Sequence, residues 1–182
     1  MLLLEVRTLD LGEDVRAVGL DLRAADEEPA RGPEAAAIWA RVLPALAGEE
    51  EWALDFFSHV NRVREFCIRR GIARREEPGS TLVVAAPSPE QLEALCARFE
   101  GETFGARAGQ TLAAPDAALE RELVRRGLDA YHPVFGKYLF CGVCEFSDGS
   151  LVVLSEGLGA TEILRRVKPV LEGLDVEVFQ PS

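Results

Sequence analysis

Gly79-Ser80-Thr81-Leu82-Val83-Val84 and Gly149-Ser150-Leu151-Val152-Val153-Leu154 each open a strand–helix–strand passage, and their reading decides the fold. After the first, Leu92, Leu95, Cys96 and Phe99 recur at the i, i+3, i+4, i+7 spacing of a helix. Gly101 and a strand over Thr103–Arg107 follow. After the second comes a helical run from Thr161, then Gly173 and a strand ending at Phe179. Offset by seventy residues, Leu82 falls on Val152 and Val84 on Leu154; offset by two more, Leu92 falls on Leu164, Leu95 on Val167 and Phe99 on Leu171. The extra two residues lie in the strand-to-helix turn, where insertions cost least. Burial alone dictates such apolar spacing, so the likeness reads as a shared burial pattern rather than a duplication. The near-continuous apolar runs Leu82–Ala86 and Leu151–Leu154 predict strands covered on both faces.

Working outward, Leu2–Leu9 and Val15–Leu22 predict a hairpin, with Arg16, Val18, Leu20 and Leu22 on its core side. Residues 24–33 form an acidic stretch with Pro29, Gly32 and Pro33, expected to be an exposed loop. Glu34–Leu46 is helical in composition, with a kink or early end at Pro44. A second helix is expected from Glu49 to the stop at Gly71, because Trp52, Phe56, Val60, Val63 and Cys67 follow helical spacing. Ser88 is the expected N-cap of the first passage's helix, with Pro89 at its first position and Gln91 completing a capping box. A further helix is expected from Asp116 to near Gly127. Asp148-Gly149 between apolar runs is a hairpin signal. Pro169 is expected to kink the last helix.

The resulting order, ββαα-βαβ-α-ββαβ, predicts an α+β fold of one domain over residues 1–182. Its sheet is mixed and largely antiparallel, packed by helices, with the chain ends in or beside it. The part from Thr81 onward is expected to reach a ferredoxin-like arrangement with an extra helix inserted.

Charge narrows the function. The chain has 182 residues, 48% of them hydrophobic, and a formal net charge of −11. Such a chain repels phosphate backbones, so nucleic acid is not an expected partner. No stretch approaches the roughly twenty apolar residues that span a bilayer. Glu5, Arg7 and Asp10 interrupt Met1-Leu2-Leu3-Leu4 before a signal-peptide core forms, and four unevenly spaced cysteines make no disulfide framework. These features point to the cytoplasm. Arginine far outnumbers Lys137 and Lys168, and with abundant Ala, Gly and Leu this suggests a GC-rich bacterial genome.

Three clusters carry candidate chemistry. Cys141-Gly142-Val143-Cys144 has the spacing of a redox or metal pair, but it lies in a predicted strand that sends residues three apart to opposite faces. A structural zinc site also needs two more ligands than the pair supplies. Ser155–Thr161 links a buried strand to a helix, where Gly157 and Gly159 allow close backbone approach and Thr161 is the expected cap. An anion or small molecule could bind there, although the full dinucleotide and P-loop patterns are missing. Arg69, Arg70, Arg74 and Arg75 surround the end of the strongest predicted helix, where they complement its dipole or dock an acidic protein partner. A homo-oligomer would offer Asp26-Glu27-Glu28 as the complement. No catalytic constellation is legible and no cofactor is implied. The leading expectation is a non-enzymatic interaction or regulatory protein of the cytoplasm. The alternative is a small-molecule or anion binder, or an enzyme, using the turn 155–161. An interaction protein should expose apolar surface near Trp39 or Trp52.

Overall fold

Trp52–Phe56, expected to open a helix, is a strand with all five residues buried. Trp52 and Phe56 satisfy the helical i, i+4 spacing, but Trp52, Leu54 and Phe56 satisfy the strand period of two equally well. The tie is broken by partners, since this segment pairs on both sides with other strands. The computed structural model describes residues 1–10, 16–26, 28–56, 59–77, 81–99, 103–108, 140–145, 149–154 and 158–181. The helix expected at 116–127 lies outside them.

The strands are β1 (Leu2–Asp10), β2 (Arg16–Ala24), β3 (Trp52–Phe56), β4 (Arg75–Glu77), β5 (Thr81–Ala85), β6 (Thr103–Ala108), β7 (Phe140–Glu145), β8 (Ser150–Leu154) and β9 (Val176–Phe179). The described helices are α1 (Gly32–Ala47), α2 (Val60–Arg70), α3 (Pro89–Arg98) and α4 (Ala160–Leu171). All nine strands form one sheet in the order β4-β5-β3-β6-β7-β8-β2-β1-β9. Every neighbour is antiparallel except the terminal pair β1 and β9. The α+β class and the mixed, largely antiparallel sheet packed by helices are therefore as expected. The two ends of the chain lie side by side, with Leu2 opposite Val176 and the Met1 amino group 2.8 Å from Asp175.

The strand order shows one path traced twice. β3-α2-β4-β5-α3-β6 runs β-α-β-β-α-β, and its strands lie in the order second, third, first, fourth. β2-α1-β7-β8-α4-β9 runs the same way in the same spatial order, except that β1 sits between its first and fourth strands. The first path is inserted into the second between α1 and β7, and β6 joins β7 to make the sheet continuous. A ferredoxin-like arrangement was expected from Thr81 onward. The β-α-β-β-α-β path runs over Trp52–Ala108, and the chain from Thr81 holds only its second half.

Both opening passages are the third strand, second helix and fourth strand of these paths. Each joins two parallel strands that are not neighbours. One strand, β3, lies between β5 and β6, and two, β2 and β1, lie between β8 and β9. The structure also corrects their alignment. Leu82 and Val84 belong to the main core, as do Leu151 and Val153, while Val83 packs with Ala53 in a second small cluster. An offset of seventy puts Leu82 on Val152, and a one-residue slip sends every side chain to the other face. Sixty-nine restores the match, setting Thr81-Leu82-Val83-Val84 on Ser150-Leu151-Val152-Val153. Burial on both faces holds for Leu82–Val84, whereas Val152 is half-buried and Ala85 and Ala86 are exposed.

One apolar core joins the inward sides of all four helices to one face of the sheet, with Leu4, Leu20, Leu22, Leu54, Phe56 and Trp39 at its centre. Helix α1 packs between α3 and α4. Phe99, ending α3, receives the ring edges of Phe56 at 5.9 Å and Phe66 at 5.5 Å. Pro44 does not end α1: the helix continues to Ala47, and the Gly48 N–H donates to the Pro44 carbonyl at 3.0 Å. Helix α4 likewise runs through Pro169. The capping box forms as expected, Gln91 N–H donating to Ser88 Oγ at 3.3 Å and Ser88 N–H to Gln91 Oε1 at 3.0 Å. Gly149, at φ +63°, backs onto β2: a Cβ there would lie 2.4 Å from the Leu22 carbonyl oxygen, which only glycine avoids.

Candidate functional site

The four arginines singled out from the sequence are brought to one end of the molecule by a helix stop. Gly71 adopts the left-handed conformation at φ 64° and ψ 27°. Its N–H donates to the Ile68 carbonyl at 3.3 Å and the Ile72 N–H to the Cys67 carbonyl at 2.9 Å. This paired closure, with buried Ile72 behind it, is a Schellman motif. It turns the chain back along α2, so that Glu76 returns to within 2.7 Å of Arg64 and the Arg74 charge acts on Cys67 in the last turn. Arg69, Arg70, Arg74 and Arg75 are exposed. Cations at this position also offset the partial negative charge of the helix end.

The cluster is larger than the sequence reading had it. Asn61–Arg75 holds six arginines against one acid, Glu65, a local charge of +5. The remainder of the chain then carries −16. The Arg64 guanidinium contacts Glu76 at 2.7 Å and also Asn61, and Arg70 lies 5.5 Å from the centre of the Phe66 ring. Ile68 stands among them on the outward side of α2 and is 55% exposed. Among the described residues Met1 is the only other exposed large hydrophobic side chain. The charge island was legible as a count over a fifteen-residue window. The start of this helix was expected too early, but Val60, Val63 and Cys67 face the core as its spacing predicts, which leaves Ile68 off the buried stripe.

Trp39 and Trp52 are 2% and 8% exposed, so neither contributes the apolar surface expected near them. Beneath the island Cys67 is buried, and burial pushes its thiol pKa up although the Arg74 charge pulls it down. Burial raises the Cys96 thiol much further. Both are protonated at neutral pH, and thiols lack the nucleophilicity of thiolates.

The other candidates are not brought to this end. Gly157 lies outside the described residues. Gly159 is the N-cap of α4 in extended conformation with no side-chain cap, and Thr161 is exposed within the first turn, so the expected Thr161 cap is corrected to Gly159. Cys141 and Cys144 lie in β7, whose register runs unbroken against both β6 and β8. Among the described residues no group of three His, Cys, Asp or Glu side chains is placed to hold a metal, and no helix is long and apolar enough to cross a membrane.

A shallow cleft of about 450 Å³ separates the end of α1 from α4. Its two arginines, Arg165 and Arg166, are held by Glu162 and by the end of α1. Glu162 receives both nitrogens of Arg165 at 2.7 Å and Arg166 Nε at 2.8 Å. Those hydrogen bonds pull its carboxyl down to about 2. Arg166 also donates to the Leu46 carbonyl at 2.7 Å and so closes α1. Two aspartates are buried on the sheet face away from the helices: Asp21, 2.9 Å from Arg7 of β1, and Asp55 in β3. Four strand spacings separate β2 from β3, so the two carboxylates do not form one site. Comparisons with protein-family models, curated proteins and solved structures return no match to this chain.

Proposed function

We propose that this chain is a non-enzymatic protein of the bacterial cytoplasm that works by binding another protein, as an accessory subunit, inhibitor or immunity-type factor. One observation carries the reading: Asn61–Arg75 holds a local charge of +5, with Arg69, Arg70, Arg74 and Arg75 exposed, on a molecule whose remainder carries −16. Arginine is enriched in protein interfaces because its planar fork binds carboxylates bidentately at little extra ordering cost. The strong charge asymmetry also orients an approaching partner before contact. Anion binding at the 155–161 turn has less support, since the first turn of α4 carries Glu162 and the island lies elsewhere.

The test is charge reversal. A tagged wild-type chain and an R69E/R70E/R74E variant are each used to capture partners from native lysate without cross-linking, with folding of both checked by circular dichroism. The wild type is expected to retain a discrete partner that raised salt releases, and the variant to lose it. Retention of the same partner by the folded variant would move the contact surface elsewhere.

A further inference from the structure

Resting on that reading, we infer that the island's partner is a short acidic polypeptide segment bearing an apolar side chain, which seats over Ile68 beside the last turn of α2. The charge complement is direct: six arginines within Asn61–Arg75 favour a carboxylate-rich segment. The size of the partner follows from what surrounds the island. Glu65 lies within it and Glu76 and Glu77 border it, and the rest of the molecule is acidic, so a broad acidic face would meet repulsion outside the arginines. A second copy carries the same −11 and meets the same repulsion.

Ile68 adds the apolar element. Ile68 is exposed on α2 with Arg64 and Glu65 one turn before it and Arg69 next in sequence, so an apolar anchor there would have a charged rim. Strand addition is not the mode, because the edge strand β4 is only three residues long and all of them, Arg75, Glu76 and Glu77, are charged. Short charged edges resist pairing with another strand. Recognition is therefore by side chains on α2 and the turn after it. Nucleic acid is disfavoured because a long polyanion cannot reach the island without approaching the acidic remainder.

The probes are two fluorescently labelled synthetic peptides, glutamate-rich and identical except for a central Leu or a central Ser. Titrated against the full chain, the Leu peptide is expected to bind roughly tenfold more tightly. That advantage should vanish in Ile68→Ser, and both peptides should be lost in R69E/R70E/R74E and as salt rises. Equal binding of the two peptides, or a Leu advantage that survives Ile68→Ser, overturns the seat over Ile68 while leaving the island reading intact. If neither peptide binds yet the lysate partner still depends on the arginines, the partner is a folded surface and the segment is wrong. Displacement of the peptides by tripolyphosphate or duplex DNA at lower concentration would assign the island to phosphate. An arginine-dependent dimer in sedimentation would assign it to a second copy. Retention of the lysate partner by R69E/R70E/R74E would place the contact surface elsewhere and remove the island on which this inference rests.

Discussion

The two β-α-β-β-α-β paths share a connectivity and differ in how they are filled. The inserted path, β3 to β6, is continuous in sequence. It packs Phe56 and Phe66 against Phe99 and carries the arginine island on α2. The interrupted path, from β2 to β9, is aliphatic around Trp39 of α1, with Leu20, Leu22, Ile163 and Val167 buried, and it accommodates an additional strand. That strand, β1, brings Arg7 to within 2.9 Å of buried Asp21. Removing a buried carboxylate from water is costly unless a cation or donor meets it, so the wedge strand and the acid support one another. The helices differ too. Helix α3 begins with a complete capping box, whereas α4 begins at Gly159 with no side-chain cap and relies on Glu162, Arg165 and Arg166. The same backbone path thus tolerates one filling built on contacts between phenylalanine rings and another built on aliphatic side chains around Trp39. Only the first carries the outward cationic helix.

This comparison can be tested at matched positions. The largest effect is expected from Leu54→Ala and Leu20→Ala, each at the centre of the first strand of its path and fully buried. Each should cost about 2–5 kcal/mol in denaturant unfolding. Similar costs with one shared transition would show that the two paths are a single cooperative core. Separate transitions would show that they are not. Next, Gly149→Ala should destabilise by about 1–3 kcal/mol, since it places a Cβ against the Leu22 carbonyl at a positive φ. A neutral result would mean that the β8–β2 junction relaxes more easily than its geometry implies.

The helix starts give a smaller contrast. Ser88→Ala should lose about 1 kcal/mol, whereas Gly159→Ser should gain a few tenths by giving α4 the oxygen it lacks. A Cβ at Gly159 meets nothing within 4 Å, so a large loss there would point to a role for the turn beyond packing. The smallest effect is in acid. Glu162 titrates in the folded state at about 2, below its ordinary 4.5, so its contribution is complete above 4.5 and fades as pH falls toward 2. The difference in urea midpoint between wild type and Glu162→Gln should therefore shrink across that interval. A constant difference down to pH 2 would mean that the pairing with Arg165 and Arg166 is not what holds Glu162.

Much of this was legible locally. The β1–β2 hairpin and its core face, the capping box at Ser88, the stop at Gly71 and the Asp148-Gly149 hairpin all rest on interactions within a few residues. The failures share one cause. Trp52–Phe56 fits two periods, and only its strand partners β5 and β6 select one. Pro44 removes a single donor, and the packing of α1 between α3 and α4 carries the helix past it. The offset between the matching passages could be chosen only once burial showed which residues share a face.

For the candidate site, the sequence contained the arginines and the glycine that folds them together. It also contained the charge difference between that stretch and the rest of the chain. It could not show that Trp39 and Trp52 are both buried. Composition and short-range spacing determined the class of fold, the segment boundaries set by glycine and proline, and the position of the positive charge, because these depend on each residue and its near neighbours. Tertiary structure alone decided the doubled path, the insertion of one path into the other and the burial of both tryptophans. Those depend on pairings between segments far apart in the chain, for which side-chain periodicity is degenerate until a neighbouring strand or helix covers one face.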